Sequence, residues 1–522
     1  MTDQTTQLLS SAFQAFEQND LQKAFEIAKQ VLSFNIKVPQ AHYIIGRVGL
    51  EAGASDIAIK GLKFATDLVP DCCEYWAFLA LAFCRSGNLP DAQKSLNVAL
   101  SLKAEHHAVF RAIAHVHAQL GNAQEATTYH RKAADAAPHI GLYHHDLGVS
   151  LMEQGDFEGA KQSLATAISL NDKDAKSWWI LSSLITAEDN DIADKLSQQL
   201  KELDDSPQHQ AYLGYAAGKL YEDTQSWERA FNAYQAAAAA KRRTVKYDSN
   251  TAKHTFDTIK QLCNKQWIGE AESPSSQASP IFIIGQPRSG TTLIDRILSS
   301  HSKVHSAGEP LQFAMSLRAM SGVTSEEFIS AELISKAQLI DAQALAASYL
   351  AGVKNIKGTT PYFIDKLPMN FLLIGFIVKA FPNAKIVHVT RNAADTCFAN
   401  FKQLFGDVYQ HSYDQQEMAE HYVMYKDLMS HWHAVLPGKI FEIAYEDVIN
   451  DKVSQARKLI EFIGLEWEDA CADFQNNQTA VVTASATQVR SDVHTRSVER
   501  WKHYREQLSP TLDILQRAGI NL

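Results

Sequence analysis

The run from Ile281 to Pro310, IFIIGQPRSGTTLIDRILSSHSKVHSAGEP, holds residues whose types and spacing suit phosphate chemistry. Ile281 to Ile284 predict a short buried strand. Gly285 to Thr292 read G-x-x-x-x-G-T-T, and Leu293, Ile294, Ile297 and Leu298 fall at helical spacing. Backbone N–H groups at such a helix start, aided by the positive end of its dipole, hold phosphate. Arg288, Ser289, Gly290, Thr291, Thr292 and Leu293 are therefore the candidate anion ligands. A nucleoside triphosphatase or kinase needs Lys after the second glycine to reach the β- and γ-phosphates. Thr291 stands there instead, and the cation, Arg288, lies inside the loop. The loop is built for a nucleotide without a γ-phosphate.

Three other stretches set polar side chains at strand ends, where α/β folds bind ligands. Arg391 follows Ile386 to Val389, Lys366 follows Tyr362 to Ile364, and Tyr445 follows Ile440 to Ala444. Together with P-R-S-G-T-T-L and the downstream Gly308-Glu309, these segments resemble sulfotransferases that use 3′-phosphoadenosine-5′-phosphosulfate (PAPS). The tyrosylprotein sulfotransferases are the most similar branch. The resemblance implies that the loop holds the 5′-phosphosulfate, that Arg391 clamps the 3′-phosphate and that Tyr445 lies near the adenine. The family's helper serine and second arginine after that clamp are Ala399 and Gln403 here. Ser485-x-x-Gln488-Val489 followed by Arg500-Trp501 matches the family's late loop, which makes Ser485 and Arg500 further donor ligands and puts Ser485 in the catalytic set. Glu309 takes the place of the general base, and Lys366 that of the lysine at the bridging oxygen. Cytosolic small-molecule sulfotransferases use a histidine base two residues after that lysine, and Pro368 stands there.

The first half of the chain is organised by arithmetic. Alanines recur at 24, 58, 92, 126 and 160, small residues at Ala12, Gly46, Ala80, Ala114 and Gly148, and a third series runs through Ala65, Ala99, Ala133 and Ala167. Every step is 34 residues, with Trp76 and Trp178 in an aromatic slot. This resembles the tetratricopeptide repeat, a helix pair whose close crossing requires small side chains. Repeats stack into a superhelix with a groove for peptides or protein partners. The period weakens after Trp178 and resumes at Leu213-Gly214 with Ala230 and Ala237.

With 522 residues, 46% of them apolar, the chain can bury more than one core. The polar stretch EAESPSSQASP around 270–280 predicts a boundary: repeats over 1–265, a linker over 266–280 and a catalytic domain over 281–522. Six scattered cysteines lack a disulfide pattern and point to a reducing compartment. The N-terminus lacks the blocks of a signal peptide, and the apolar stretch from Phe371 to Phe381 is too short to span a bilayer, so a cytoplasmic location is expected. No His or Cys grouping has metal spacing, and no metal is expected. A net charge of −10 argues against nucleic acid. The expected architecture is an N-terminal tetratricopeptide-repeat α-solenoid followed by a phosphate-loop, three-layer α/β sulfotransferase domain with a parallel sheet. The expected reaction is O-sulfation from PAPS. A peptide or protein tyrosine, a saccharide and a small-metabolite hydroxyl stay open as acceptors, beside a repeat scaffold whose enzyme domain has decayed.

Overall fold

The computed structural model describes residues 3–202, 206–269, 279–325, 327–476 and 498–522. It divides into two compact units, Met1–Ile185 and Thr186–Leu522.

The first unit is a run of helix pairs: α1 (Asp3–Glu17) with α2 (Leu21–Phe34), α3 (Pro39–Glu51) with α4 (Ser55–Leu68), α5 (Cys73–Arg85) with α6 (Leu89–Ser101), α7 (His107–Gln119) with α8 (Ala123–Ala136), α9 (Gly141–Gln154) with α10 (Phe157–Leu170), then α11 (Ala175–Leu184). Small residues sit where the pairs cross. A Cβ on Gly46 would lie 2.5 Å from Leu62 Cγ, and one on Gly148 2.7 Å from Leu164 Cγ. A series absent from the alanine count marks the turns inside each pair. Asn19, Gly53, Gly87, Gly121 and Gly155, again 34 apart, all take positive φ, between 60° and 85°. Glycine and asparagine tolerate that conformation, so each pair closes with the same left-handed turn. The two slot tryptophans make the same bond: Trp76 Nε1 donates to Pro70 O at 2.8 Å and Trp178 Nε1 to Asp172 O at 3.0 Å.

The second unit begins with α12 (Asp191–Glu202), α13 (Pro207–Asp223), α14 (Trp227–Arg242), α15 (Ser249–Leu262) and α16 (Lys265–Gly269). The last four, α13 to α16, pack on the sheet domain. Phe231 stacks on Phe401 with centroids 5.8 Å apart, Tyr215 donates to Phe401 O at 3.2 Å, and Arg242 forks onto Glu417 at 2.7 and 2.8 Å. The break between compact units therefore lies upstream of the stretch that composition marks as a linker, most of which falls outside the described residues.

The sheet is parallel, ordered β2-β3-β1-β4-β5, with β1 Ile281–Gly285, β2 Val304–Ser306, β3 Tyr362–Asp365, β4 Lys385–Thr390 and β5 Ile440–Ala444. The central strand β1 is buried along its whole length, as its unbroken apolar run demands. The helices between and after these strands are α17 (Thr291–Ser299), α18 (Gln312–Ser321), α19 (Ala331–Ala337), α20 (Ala342–Gly352), α21 (Ile374–Ala380), α22 (Ala393–Phe401), α23 (Gln415–Val435), α24 (Tyr445–Asn450), α25 (Lys452–Ile463) and α26 (Ser509–Arg517). The order of strands puts the carboxyl ends of β1, β3 and β4 side by side, so residues far apart in sequence meet there. No described helix is long and apolar enough to cross a membrane.

Candidate active site

The loop after β1 turns through Arg288 at φ 64° and Gly290 at φ 102°, and Gly290 caps α17 without a side-chain hydrogen bond. Gly290 is required twice over. Its φ is costly for any residue with a Cβ, and that Cβ would lie 2.5 Å from Cδ2 of Tyr445. Ser289, Thr291, Thr292 and Leu293 are all buried at the start of the helix. Ser289 Oγ and Gln286 Nε2 are buried with no hydrogen-bond partner among the described residues. A buried orphan hydroxyl next to a helix N-terminus is what an anion ligand would satisfy.

Arg391 reaches this loop from the end of β4. Its Nη1 donates to Arg288 O at 3.0 Å, and its guanidinium lies 5.1 Å from the centre of the Tyr445 ring. Burial, and then the neighbouring charge of Arg391, bring the Arg288 guanidinium down to about 10. Two cations brought together at a dipole's positive end attract a multiply charged anion. Tyr445, expected near a base, packs against the loop glycine and under Arg391. Its neighbour Glu446 accepts from Asn392 N at 2.9 Å, which fixes the turn carrying Arg391. Asp395, one turn into α22, lies 3.9 Å from Arg391 and accepts from the backbone N–H groups of Glu499 and Trp501 at 2.6 and 3.2 Å. Arg500 is thereby tied to the Arg391 segment. Its side chain turns to Glu222 of α13, with Nε to Oε1 at 2.8 Å. Ser485 lies outside the described residues.

Glu309 and Lys366 meet. Their side chains form a direct ion pair, with Lys366 1% exposed and Glu309 37% exposed. Backbone bonds strap the two loops together: Ala307 N donates to Ile364 O and Lys366 N to Gly308 O, both at 2.9 Å. Beneath them Asp295 of α17 is buried, with Oδ1 unpartnered among the described residues. Burial raises its carboxyl, while Lys366 and a hydrogen bond from Ser306 oppose the rise. Asp365, fully buried, accepts from Tyr349 OH at 2.9 Å and Asn370 Nδ2 at 3.0 Å, and burial pushes its carboxyl up to about 7.

Asp295, Asp365, Asp395, Glu222 and Lys402 are not among the residues that the sequence marks. Only Asp395 carried a local signal, the Asn392-x-x-Asp395 helix start, in which Asn392 Oδ1 accepts from Asp395 N at 3.0 Å. His388, His433 and Glu442 also converge, with His388 Nδ1 and His433 Nε2 at 3.0 and 3.5 Å from Glu442 Oε2. Hydrogen bonding accounts for His388, held on its other side by Tyr425 OH at 2.5 Å, while His433 Nε2 is buried without a hydrogen-bond partner among the described residues, and the three ligand atoms lie within 4.8 Å of one another.

The parallel sheet, the glycine-bounded anion loop and the paired Glu309 and Lys366 define an α/β group-transfer domain of the phosphate-loop type. Residues 280–469 match the sulfotransferase family, and this region is a sulfotransferase domain. An uncharacterized protein of Aquifex aeolicus (strain VF5) is 30% identical over 412 residues, covering 76% of this chain and 53% of that protein. The chain thus spans about half the length of that relative. The protein-tyrosine sulfotransferase of Drosophila melanogaster is 22% identical over 241 residues, 42% of this chain and 46% of that one. The helical repeats resemble tetratricopeptide-repeat proteins. A thermophilic one from Thermus thermophilus aligns with 34% of this chain and 98% of its own, at 19% identity and a TM-score of 0.31.

Proposed function

We propose that the chain transfers the sulfuryl group of PAPS to an acceptor hydroxyl, with the hydroxyl of a peptide or protein tyrosine as the favoured acceptor. The observation that carries this reading is the ion pair of Glu309 and Lys366 beside an anion loop lined by Arg288 and Arg391. In the forward step the acceptor O–H proton passes to Glu309. The acceptor oxygen bonds to sulfur as the sulfur–oxygen bond to the 5′-phosphate breaks. Protonation of Glu309 removes the counter-charge of Lys366, whose ammonium then neutralises the oxygen that departs. Proton transfer and leaving-group stabilisation are coupled through one ion pair. Arg288, Ser289 and the N–H groups of Gly290 to Leu293 bind the 5′ end of the donor, and Arg391 binds the 3′-phosphate. Arg500 and Ser485 complete the donor contacts. No residue of this scheme needs a metal. Six cysteines without disulfides suit a reducing compartment, and the cytoplasm is the proposed location. A partner protein or acceptor peptide is proposed for the repeat groove.

The test is transfer of labelled sulfate from PAPS to tyrosine peptides, saccharides and a lysate, with and without a magnesium chelator. Glu309→Gln should lower turnover roughly 10²–10⁴-fold, while affinity for 3′-phosphoadenosine-5′-phosphate (PAP) stays as it was. Labelling that stays at the wild-type rate in Glu309→Gln would remove Glu309 as the base. Failure of the wild-type protein to bind PAP would leave the scaffold reading.

A further inference from the structure

We propose that Lys402 is a further ligand of the donor's 3′-phosphate, and that Glu222 of α13 is the internal counter-charge with which the phosphate shares it. The proposal rests on the PAPS reading above. Lys402 caps the C-terminal end of α22, whose first turn follows Arg391. Its side chain runs back along the helix, with Nζ 5.2 Å from the centre of the Phe398 ring, as helical side chains lean toward the N-terminus. It shares a face with position 399, three residues earlier. There the small, buried Ala399 stands where the resemblance expects a serine on the 3′-phosphate. The second arginine expected at 403 is Gln403. The neighbouring lysine supplies the cation that 403 lacks.

Lys402 Nζ donates to Glu222 Oε2 at 2.8 Å and to Oε1 at 3.0 Å. The same carboxylate takes Arg500 Nε at 2.8 Å, Tyr504 OH at 3.2 Å and Tyr234 OH at 3.3 Å. One carboxylate, 6% exposed, therefore serves two cations. Arg500 is in turn anchored through its backbone neighbours to Asp395, which faces Arg391. Burial disfavours the charged form of Lys402, Glu222 restores it, and the charges of Arg500 and Arg288 oppose it further. Lys402 is thus within electrostatic reach of the loop arginine. Arg391 faces Asp395, and Lys402 and Arg500 share Glu222, so Lys402 belongs to the group of cations that a dianionic phosphate would meet. Glu222 lies outside the matched segment 280–469, so a helix of the preceding region contributes to the donor pocket.

The experiment is calorimetric titration of the full chain with PAP and with adenosine 5′-phosphate, which lacks the 3′-phosphate. Lys402→Met should cut the preference for PAP about tenfold or more, the worth of one charge-assisted hydrogen bond, and leave adenosine 5′-phosphate affinity within about twofold. Lys402→Arg should keep most of the preference. Glu222→Gln should raise the preference about threefold or more, because the phosphate becomes the main counter-charge of Lys402 and Arg500, and this rise should shrink in the Lys402→Met background to the share that Arg500 carries. A wild-type protein that prefers PAP while Lys402→Met keeps the full preference overturns the proposal. So does a Glu222→Gln effect that is as large without Lys402 as with it. A wild-type protein with no preference for PAP overturns the PAPS reading itself. If Lys402→Met does not fold, the Glu222→Gln arm decides: an unchanged preference refutes the shared counter-charge.

Discussion

Asp365→Asn should change how stability depends on pH. Asp365 ends β3, is fully buried, and is peptide-bonded to Lys366. Burial raises its carboxyl from 3.8 to about 7, against the opposing hydrogen bonds of Tyr349 and Asn370. A carboxyl with a raised folded-state value contributes stability that is fully present below the unfolded value and is lost as pH rises through the folded one. Between about pH 4 and pH 7 the folded chain keeps a proton that the unfolded chain has released. Stability then falls by about 1.4 kcal/mol per pH unit, roughly 4 kcal/mol in all, and levels off above pH 7. The asparagine variant has no such titration. Its amide oxygen can accept from Tyr349, and its new NH₂ can donate to Asn370 Oδ1, which is buried without a partner among the described residues. Urea unfolding of both proteins at several pH values from about 4 to about 8 gives the difference directly. The wild type should lose about 4 kcal/mol relative to the variant across that range. Parallel curves would show that Asp365 is already ionised in the fold at pH 4, and the reasoning from its burial would fail.

Gly290→Ala should weaken PAP binding and lower the melting temperature, because φ 102° costs a residue with a Cβ about 1–2 kcal/mol and Tyr445 must give way. Wild-type PAP affinity in that variant would show that the loop moves freely. Glu446→Ala removes the acceptor of Asn392 N–H and should cost about 1–3 kcal/mol of stability. It should also weaken PAP binding through the displaced Arg391, and calorimetry showing full affinity would separate Glu446 from the positioning of Arg391.

The anion loop was legible in the sequence because strand, turn and helix are contiguous there and each residue's task is local. The 34-residue period was legible for the same reason, since each repeat meets only its neighbours. Glu309 was readable through the family resemblance, and Lys366 through that resemblance and its place at a strand end. Their ion pair was not, because it depends on β2 and β3 lying side by side in the sheet. Asp295 and Glu222 look like ordinary helical acids, and only the third dimension shows one under the Glu309 loop and the other between two cations. Arg500 was assigned through its resemblance to the family's late loop, and no motif could announce a carboxylate 278 residues earlier in the chain.

The packing of α13 and α14 bears on how such a chain could have been assembled by recombination. Tyr215, Phe231 and Tyr234 lie against Phe398, Phe401 and Tyr504, so a gene segment starting at Pro280 would encode a domain with an aromatic face stripped bare. The division into compact units falls after Ile185, so a crossover there leaves that aromatic face covered. Repeats upstream of it can be gained, lost or exchanged as whole 34-residue periods, whereas the helices downstream must be inherited together with the catalytic sheet.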